Sequence, residues 1–246
     1  MNHRIRCILI SSLFITCGVS QQTFKIPDNF VEYPLPVDSV PNSWTELNQS
    51  RFDIEVLMVD GQLRAQKKDY SKDVCEDDCY CKLKIKDGTL KGINNGEWGG
   101  VLYYEPDNVD ELNVRIKKGN IKYLFEMEDN LYAIEGLAHL GSSKGALFQL
   151  HRSGNVFNYS KILDFEDASA VFLRKGSRLF IAGSGSFYIL NSLRKEVLFE
   201  KLFWRGLYPN SMVALDDDTF FVGIRSGFVQ LNLKTKKITF YKYTGA

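Results

Sequence analysis

Leu131-Tyr-Ala-Ile134, Leu179-Phe-Ile-Ala182 and Phe220-Phe-Val-Gly223 are the second apolar runs of three similar units between Ile121 and Tyr243. Each leads through a small-residue turn into a third run, beginning Gly145-Ala-Leu-Phe148, Ser186-Phe-Tyr-Ile189 and Gly227-Phe-Val-Gln230. These starts lie about 41 residues apart, the length of a unit of four short antiparallel strands. Working back toward the N-terminus, residues 82–117 form a degenerate copy. Its runs are Leu83 to Lys86, Leu90 to Ile93, Val101 to Tyr104 and Leu112 to Ile116. Before it, Phe52 to Val59 and Leu63 to Gln66 flank Asp60-Gly61, a hairpin signal. No stretch of a dozen residues repeats its apolar positions at three and four, so helices are not expected to shape the fold.

Short strands, tight turns and a fixed period point to radial repetition. On these residues the chain resembles a β-propeller over about two-thirds of its length, without the motif of a particular propeller family. It has no Trp-Asp dipeptide, and the Gly-Gly pair of kelch repeats occurs once, at Gly99 and Gly100. The resemblance implies an all-β domain over residues 51–246: a small β-propeller of four to five blades, each an antiparallel four-stranded sheet. A two-sheet β-sandwich is the alternative, which the even period disfavours. The hairpin at 52–66 is either a reduced fifth blade or a cover on one side.

The first twenty residues read as a signal peptide. Arg4 and Arg6 precede an apolar run from Cys7 to Thr16, and Gly18-Val19-Ser20 places small residues before a cleavage site at Gln21. The alternative is a lipoprotein signal ending before Cys17, which would anchor the chain by lipid. The run is too short for a transmembrane span. Residues 21–50 read as an irregular lead-in, because Pro27, Pro34, Pro36 and Pro41 recur and proline removes a ladder donor. In an exported chain the insert 67–81, with Cys75, Cys79 and Cys81, is expected to hold one local disulfide. Cys75 would pair with Cys79 or Cys81, since a one-residue spacer strains a Cys79–Cys81 bridge. No paired-cysteine spacing points to a metal. Asn48-Gln-Ser50 and Asn158-Tyr-Ser160 are glycosylation sequons.

With 31 basic and 30 acidic residues, net charge +1, the chain lacks the electrostatic footprint of a nucleic-acid binder. No cofactor motif is present. Gly141-Ser-Ser-Lys-Gly145 fits G-x-S-x-G literally, yet a strand follows it where a nucleophile elbow requires a helix. No catalytic residue is assigned.

Strand alternation sorts the connections between two ends. Tight charged turns gather at one: Asp87-Gly88, Asp129-Asn130, Lys175 to Ser177 and Asp216 to Asp218. Longer loops gather at the other, and binding residues concentrate on such loops. The candidates there are Asn94, Glu97, Trp98, His139, Lys144, Trp204, Arg205, Tyr208 and Arg225. Trp and Arg are common binding anchors, and Trp98 stands beside a carboxylate among three glycines. The expectation is an exported, non-enzymatic protein binding a protein partner at this end, as an envelope inhibitor or immunity protein does. Two alternatives stand beside it. One is a carbohydrate-binding module using Trp98, Glu97 and Asn94. The other is a hydrolase pairing Glu97 with Asp164 or Asp167.

Overall fold

The computed structural model describes residues 24–36, 41–69 and 81–245. The expected signal segment, Cys17, Cys75 and Cys79 lie outside these residues. The fold is all-β. Its strands are β1 (Phe30–Tyr33), β2 (Ile54–Val59), β3 (Gln62–Lys67), β4 (Cys81–Ile85), β5 (Gly88–Asn94), β6 (Gly100–Pro106), β7 (Val114–Lys118), β8 (Ile121–Met127), β9 (Asn130–His139) and β10 (Ser142–Ser153). They continue with β11 (Val156–Phe165), β12 (Ser169–Lys175), β13 (Arg178–Gly183), β14 (Phe187–Asn191), β15 (Arg194–Phe199), β16 (Ser211–Ala214), β17 (Thr219–Ile224), β18 (Gly227–Asn232) and β19 (Lys237–Tyr243).

Among the described residues the strands make five antiparallel sheets. β4–β7, β8–β11, β12–β15 and β16–β19 are four-stranded meanders, and β2–β3 is a separate hairpin. The first strands link one sheet to the next: β8 lies against β4 and β5, β12 against β8 and β9, β16 against β12, and β2 against β16 and β17. Each junction has its own apolar filling. Leu90 and Tyr104 meet Ile121 and Phe157. Tyr132 and Ile134 meet Ile181 and Tyr188. Phe180 and Phe187 meet Phe220 and Val222, while Ile54 and Val56 of the hairpin meet Phe221 and Phe228. This succession of sheets is compatible with a propeller-like arrangement.

The packing explains the sequence pattern. β17 is buried at all six positions and β13 at five of six, because a neighbouring sheet covers each face. A strand covered on both faces reads as a continuous apolar run instead of an alternation. Each fully buried Phe or Leu there contributes about 1.5–3 kcal/mol. Two-residue turns close several hairpins with both residues at positive φ, at Asp60-Gly61, Glu128-Asp129 and Leu140-Gly141. That geometry matches the strands' own twist.

The lead-in is more ordered than its prolines imply. β1 adds a fifth strand beside β19, with Phe30 edge-on to Phe228 at 5.0 Å. Residues Pro41–Asn48 form an eight-residue helix, α1. Proline is tolerated in the first turn, where its missing N–H has no partner to lose. Leu47, three positions after Trp44, is 1% exposed, and the Ser226 hydroxyl donates to its carbonyl at 2.8 Å. Cys81 opens β4 with its Sγ 3.9 Å from the Ile121 carbonyl. Burial pushes its thiol up to about 12.

The tight-turn end is laced by ion pairs between sheets. Arg152 on β10 grips both oxygens of Asp87, at 2.5 and 2.8 Å, and lies over the Tyr104 ring at 4.6 Å. Lys175 reaches Asp217 at 2.9 Å. The Arg152 hydrogen bond holds the Asp87 carboxyl below its usual range. A lowered carboxyl pKa stabilises the fold above the unfolded-state value and stops doing so as pH falls through the folded-state value. The melting-temperature gap between wild type and Arg152→Ala should therefore stay constant from neutrality to about pH 5 and shrink below about pH 4. Scanning calorimetry across pH checks this, and a gap that widens in acid would refute it.

Candidate functional site

At the opposite end, residues distant in sequence meet because each meander turns there. Between β5 and β6 the backbone makes one 3₁₀ turn, Gly96–Trp98. Gly96 and Gly99 enter and leave it at positive φ, 59° and 87°, where glycine carries no steric penalty. The Asn94 side chain accepts from the Gly96 N–H at 3.2 Å, and the Asn120 amide donates to the Gly96 carbonyl at 2.7 Å. The turn is therefore held from both sides, and Trp98 projects from it 83% exposed.

Glu97 crosses to the next sheet. Its carboxylate lies 3.0 Å from Nε2 of His139, the last residue of β9. The adjoining Leu140-Gly141 turn presents Leu140 at 91% exposure. One residue into β10, the Ser143 hydroxyl meets that of Ser184, between β13 and β14, at 2.7 Å. Ser143 also accepts from the Ala168 N–H at 2.7 Å. Asp167, 8% exposed, ties the following sheet together: it accepts from the Gly185 N–H at 2.5 Å and from the Tyr188 hydroxyl. Burial and that bond push the Tyr188 phenol above its ordinary value.

The crossover from β15 to β16 completes the rim. The Arg205 guanidinium leans to the Gly141 carbonyl at 3.4 Å. Tyr208 is 56% exposed, with the Arg225 guanidinium 4.5 Å from its ring centre. Arg225 is itself fixed by Asp53 at 3.2 Å and the Asn48 carbonyl at 3.1 Å. These parts surround a cleft of ≈ 450 Å³ lined by Asn94, Lys122, His139, Ser169, Arg205 and Tyr208, among others. A larger, open cleft beside it shares Ser143, Ser184 and Arg205 and extends to Trp44 and Phe203.

Asn94, His139, Arg205 and Tyr208 thus line one cleft, Glu97 is joined to it through His139, and Trp98 ends the same short turn as Glu97. Arg225 buttresses Tyr208 from behind. Lys144 is exposed one step along β10, next to Ser143. Trp204 needs correction: it is 0% exposed and its indole N–H donates to the Gly183 carbonyl at 3.1 Å. The crossover passes inward at that residue, so it belongs to the core and offers no surface. The two aspartates considered for a hydrolase each have partners of their own. Asp167 is consumed by its own loop, and Asp164 is held by Lys161 at 2.9 Å.

Ser184, Lys122 and Ser169 were not singled out from the sequence, and Ser143 figured there only as the serine of the rejected G-x-S-x-G match. The two hydroxyls that touch are 41 residues apart. That is the repeat period itself, so equivalent loop positions in successive units were the available signal.

No family model matches the chain, and no curated protein matches it. Solved structures do. An S. cerevisiae assembly of Dbp5 bound to Nup159, Gle1, IP6 and ADP aligns at 11% identity over 85% of this chain and 66% of that one, with TM-score 0.40. The extracellular domain of BT4673 from B. thetaiotaomicron aligns at 12% identity over 89% of this chain and 30% of that one, with TM-score 0.39. The chain spans less than two-thirds of either, and likeness at this level carries no function across.

Proposed function

We propose that the chain is an exported, non-enzymatic binding protein, a small propeller of four to five blades whose loop-rich end docks a protein partner. An envelope inhibitor or an immunity-type protein is the nearest kind of role. One observation carries the reading: Leu140 and Tyr208, exposed at 91% and 56%, line one cleft, and Trp98, exposed at 83%, ends the turn whose first residue, Gly96, lines it too. Single exposed apolar residues are ordinary on a protein surface, whereas a grouped set rimmed by polar residues marks an interaction site. Here the polar rim is Glu97, His139 and Arg205. Export rests on the N-terminal pattern of the sequence. No helix among the described residues is long and apolar enough to cross a membrane.

Truncating an aromatic anchor at the centre of an interface costs about 2 kcal/mol or more, a ~30-fold loss of affinity. The mature chain and its Trp98→Ala/Tyr208→Ala variant should therefore differ in what they capture from the native envelope or extracellular fraction. The variant should lose the specific partner yet melt close to wild type, because exposed substitutions shift stability by about 0.5 kcal/mol or less. Equal capture by both proteins refutes the reading. Capture of glycan instead of protein, lost in the same variant, would move the assignment to a carbohydrate-binding module.

A further inference from the structure

The charges at the cleft are matched in sign. Lys122 and Arg205 line it, and two carboxylates border it. Glu97 meets the lining residue His139 at 3.0 Å, and Asp167 lines the adjoining cleft that shares Ser143, Ser184 and Arg205. A charged ligand would find no surplus of opposite charge here, while its own desolvation would still have to be offset. What the cleft offers is hydrogen-bonding groups of both kinds. The hydroxyls of Ser143 and Ser184 touch at 2.7 Å with either able to donate, so the pair can turn a donor or an acceptor outward. The Asn94 oxygen is taken by the Gly96 N–H, and its amide nitrogen has no partner among the described residues. Glu97 occupies one ring nitrogen of His139, and the other has no partner among the described residues. Glycine and alanine fill much of the remaining wall, at Gly136, Ala138, Gly141, Ala168 and Ala170, which leaves room for a ring.

Tyr208 adds an aromatic wall to the cleft. Its backbone stands at φ 52°, a left-handed conformation that bulky residues rarely adopt. Strain of this kind persists where the surroundings enforce it, and it gathers at ligand clamps. Here the enforcement is visible. Leu207 beside it is fully buried, and the Leu207 carbonyl accepts from the Arg225 N–H at 2.6 Å. The Arg225 guanidinium lies 4.5 Å from the Tyr208 ring centre, so one face of the ring is taken. The residue is exposed all the same, which leaves the other face to a ligand.

We infer that the cleft binds a neutral pyranose: a sugar ring whose C–H face rests on Tyr208 and whose hydroxyls meet Asn94, His139 and the Ser143–Ser184 pair. A pyranose joins these properties in one molecule. Its ring hydrogens give it an apolar face, and each hydroxyl both donates and accepts, as a mixed wall without surplus charge requires. A cleft of ≈ 450 Å³ falls within the range of small-molecule sites, in which a few placed polar groups fix the orientation of the ligand. The inference goes beyond the docking role, although the two share Tyr208 and the rim residue His139. A free monosaccharide and the terminal residue of a glycan have this chemistry in common.

The test records saturation-transfer NMR of the mature chain with glucose, mannose and galactose, which stand for the free sugar, and with their methyl α-glycosides, which stand for a glycan end. The matching uronates and 2-amino sugars are the charged controls. At least one neutral pyranose should bind with a Kd of about 1 mM, the affinity expected of roughly a dozen heavy atoms, and at least tenfold tighter than its charged counterparts. Binding of free sugars alone or of glycosides alone names the source, and either supports the site. Tyr208→Ala, at an exposed position, should abolish the binding, and Tyr208→Phe, which keeps the ring, should retain it. Ser184→Ala should weaken it at least threefold with the circular dichroism of wild type. No transfer to any neutral pyranose, equal binding of the charged controls, or binding unchanged in Tyr208→Ala would each overturn the inference. If no pyranose binds while Trp98→Ala/Tyr208→Ala still loses its protein partner, the sugar site alone falls and the docking role stands.

Discussion

Trp204→Ala should destabilise the protein by about 3–5 kcal/mol, the range for deleting a buried large aromatic. A domain holds only about 5–15 kcal/mol in total, so the variant should melt far below wild type or fail to accumulate folded. Two contributions add. The indole fills the junction between the β12–β15 and β16–β19 sheets, in the cluster that includes Phe187, Leu202, Leu207 and Phe240. Its N–H also satisfies the Gly183 carbonyl at 3.1 Å, which would be left buried without a donor. Trp204→Phe should recover part of the loss by refilling volume without the hydrogen bond. Urea denaturation of the three proteins measures both steps. A Trp204→Ala protein as stable as wild type would show that this crossover is not core.

Asp167→Ala is the second large effect, about 2–5 kcal/mol, because it removes the acceptor shared by two donors at once. Tyr188, 0% exposed, would lose the carboxylate that accepts from its hydroxyl, and the Gly185 N–H would lose its partner. Asp167→Asn should be only partly better, since an amide presents one acceptor and one donor to a place that supplies donors. Gly183→Ala gives an independent check. A Cβ there would collide with the Asp167 carboxylate, so it should evict the same group and reproduce the same loss. Thermal melts of the three variants decide the matter. Near-wild-type stability for Asp167→Ala would mean the carboxylate contributes little to the fold.

Much of the strand order was legible. Leu131 to Ile134, Leu179 to Ala182 and Phe220 to Gly223 lie inside β9, β13 and β17, and the third runs fall in β10, β14 and β18. The hairpin at 52–66 became β2 and β3, packed beside the last sheet. β1 was hidden because four residues among prolines give too little alternation to register. Pairing with β19, about two hundred residues downstream, is what makes it a strand. α1 escaped because eight residues are only two turns, and its apolar contacts, Trp44 and Leu47, are one turn apart. Its stability comes from what it packs on, as is usual for short helices.

By itself the sequence determined the all-β class, the four-strand period and the sorting of turns between two ends. Those features are local, set by alternation, glycine placement and the reversal of direction at each turn. Tertiary structure alone decided which aromatic is surface and which is core. Trp98 and Trp204 both sit in loops at the same end, and nothing within a few residues of either distinguishes them. Trp98 rides on a glycine-bounded turn and is 83% exposed. Trp204 finds the Gly183 carbonyl 21 residues away and is enclosed by side chains from two sheets. Burial is a property of what arrives from elsewhere in the chain, and so is the pairing of Glu97 with His139.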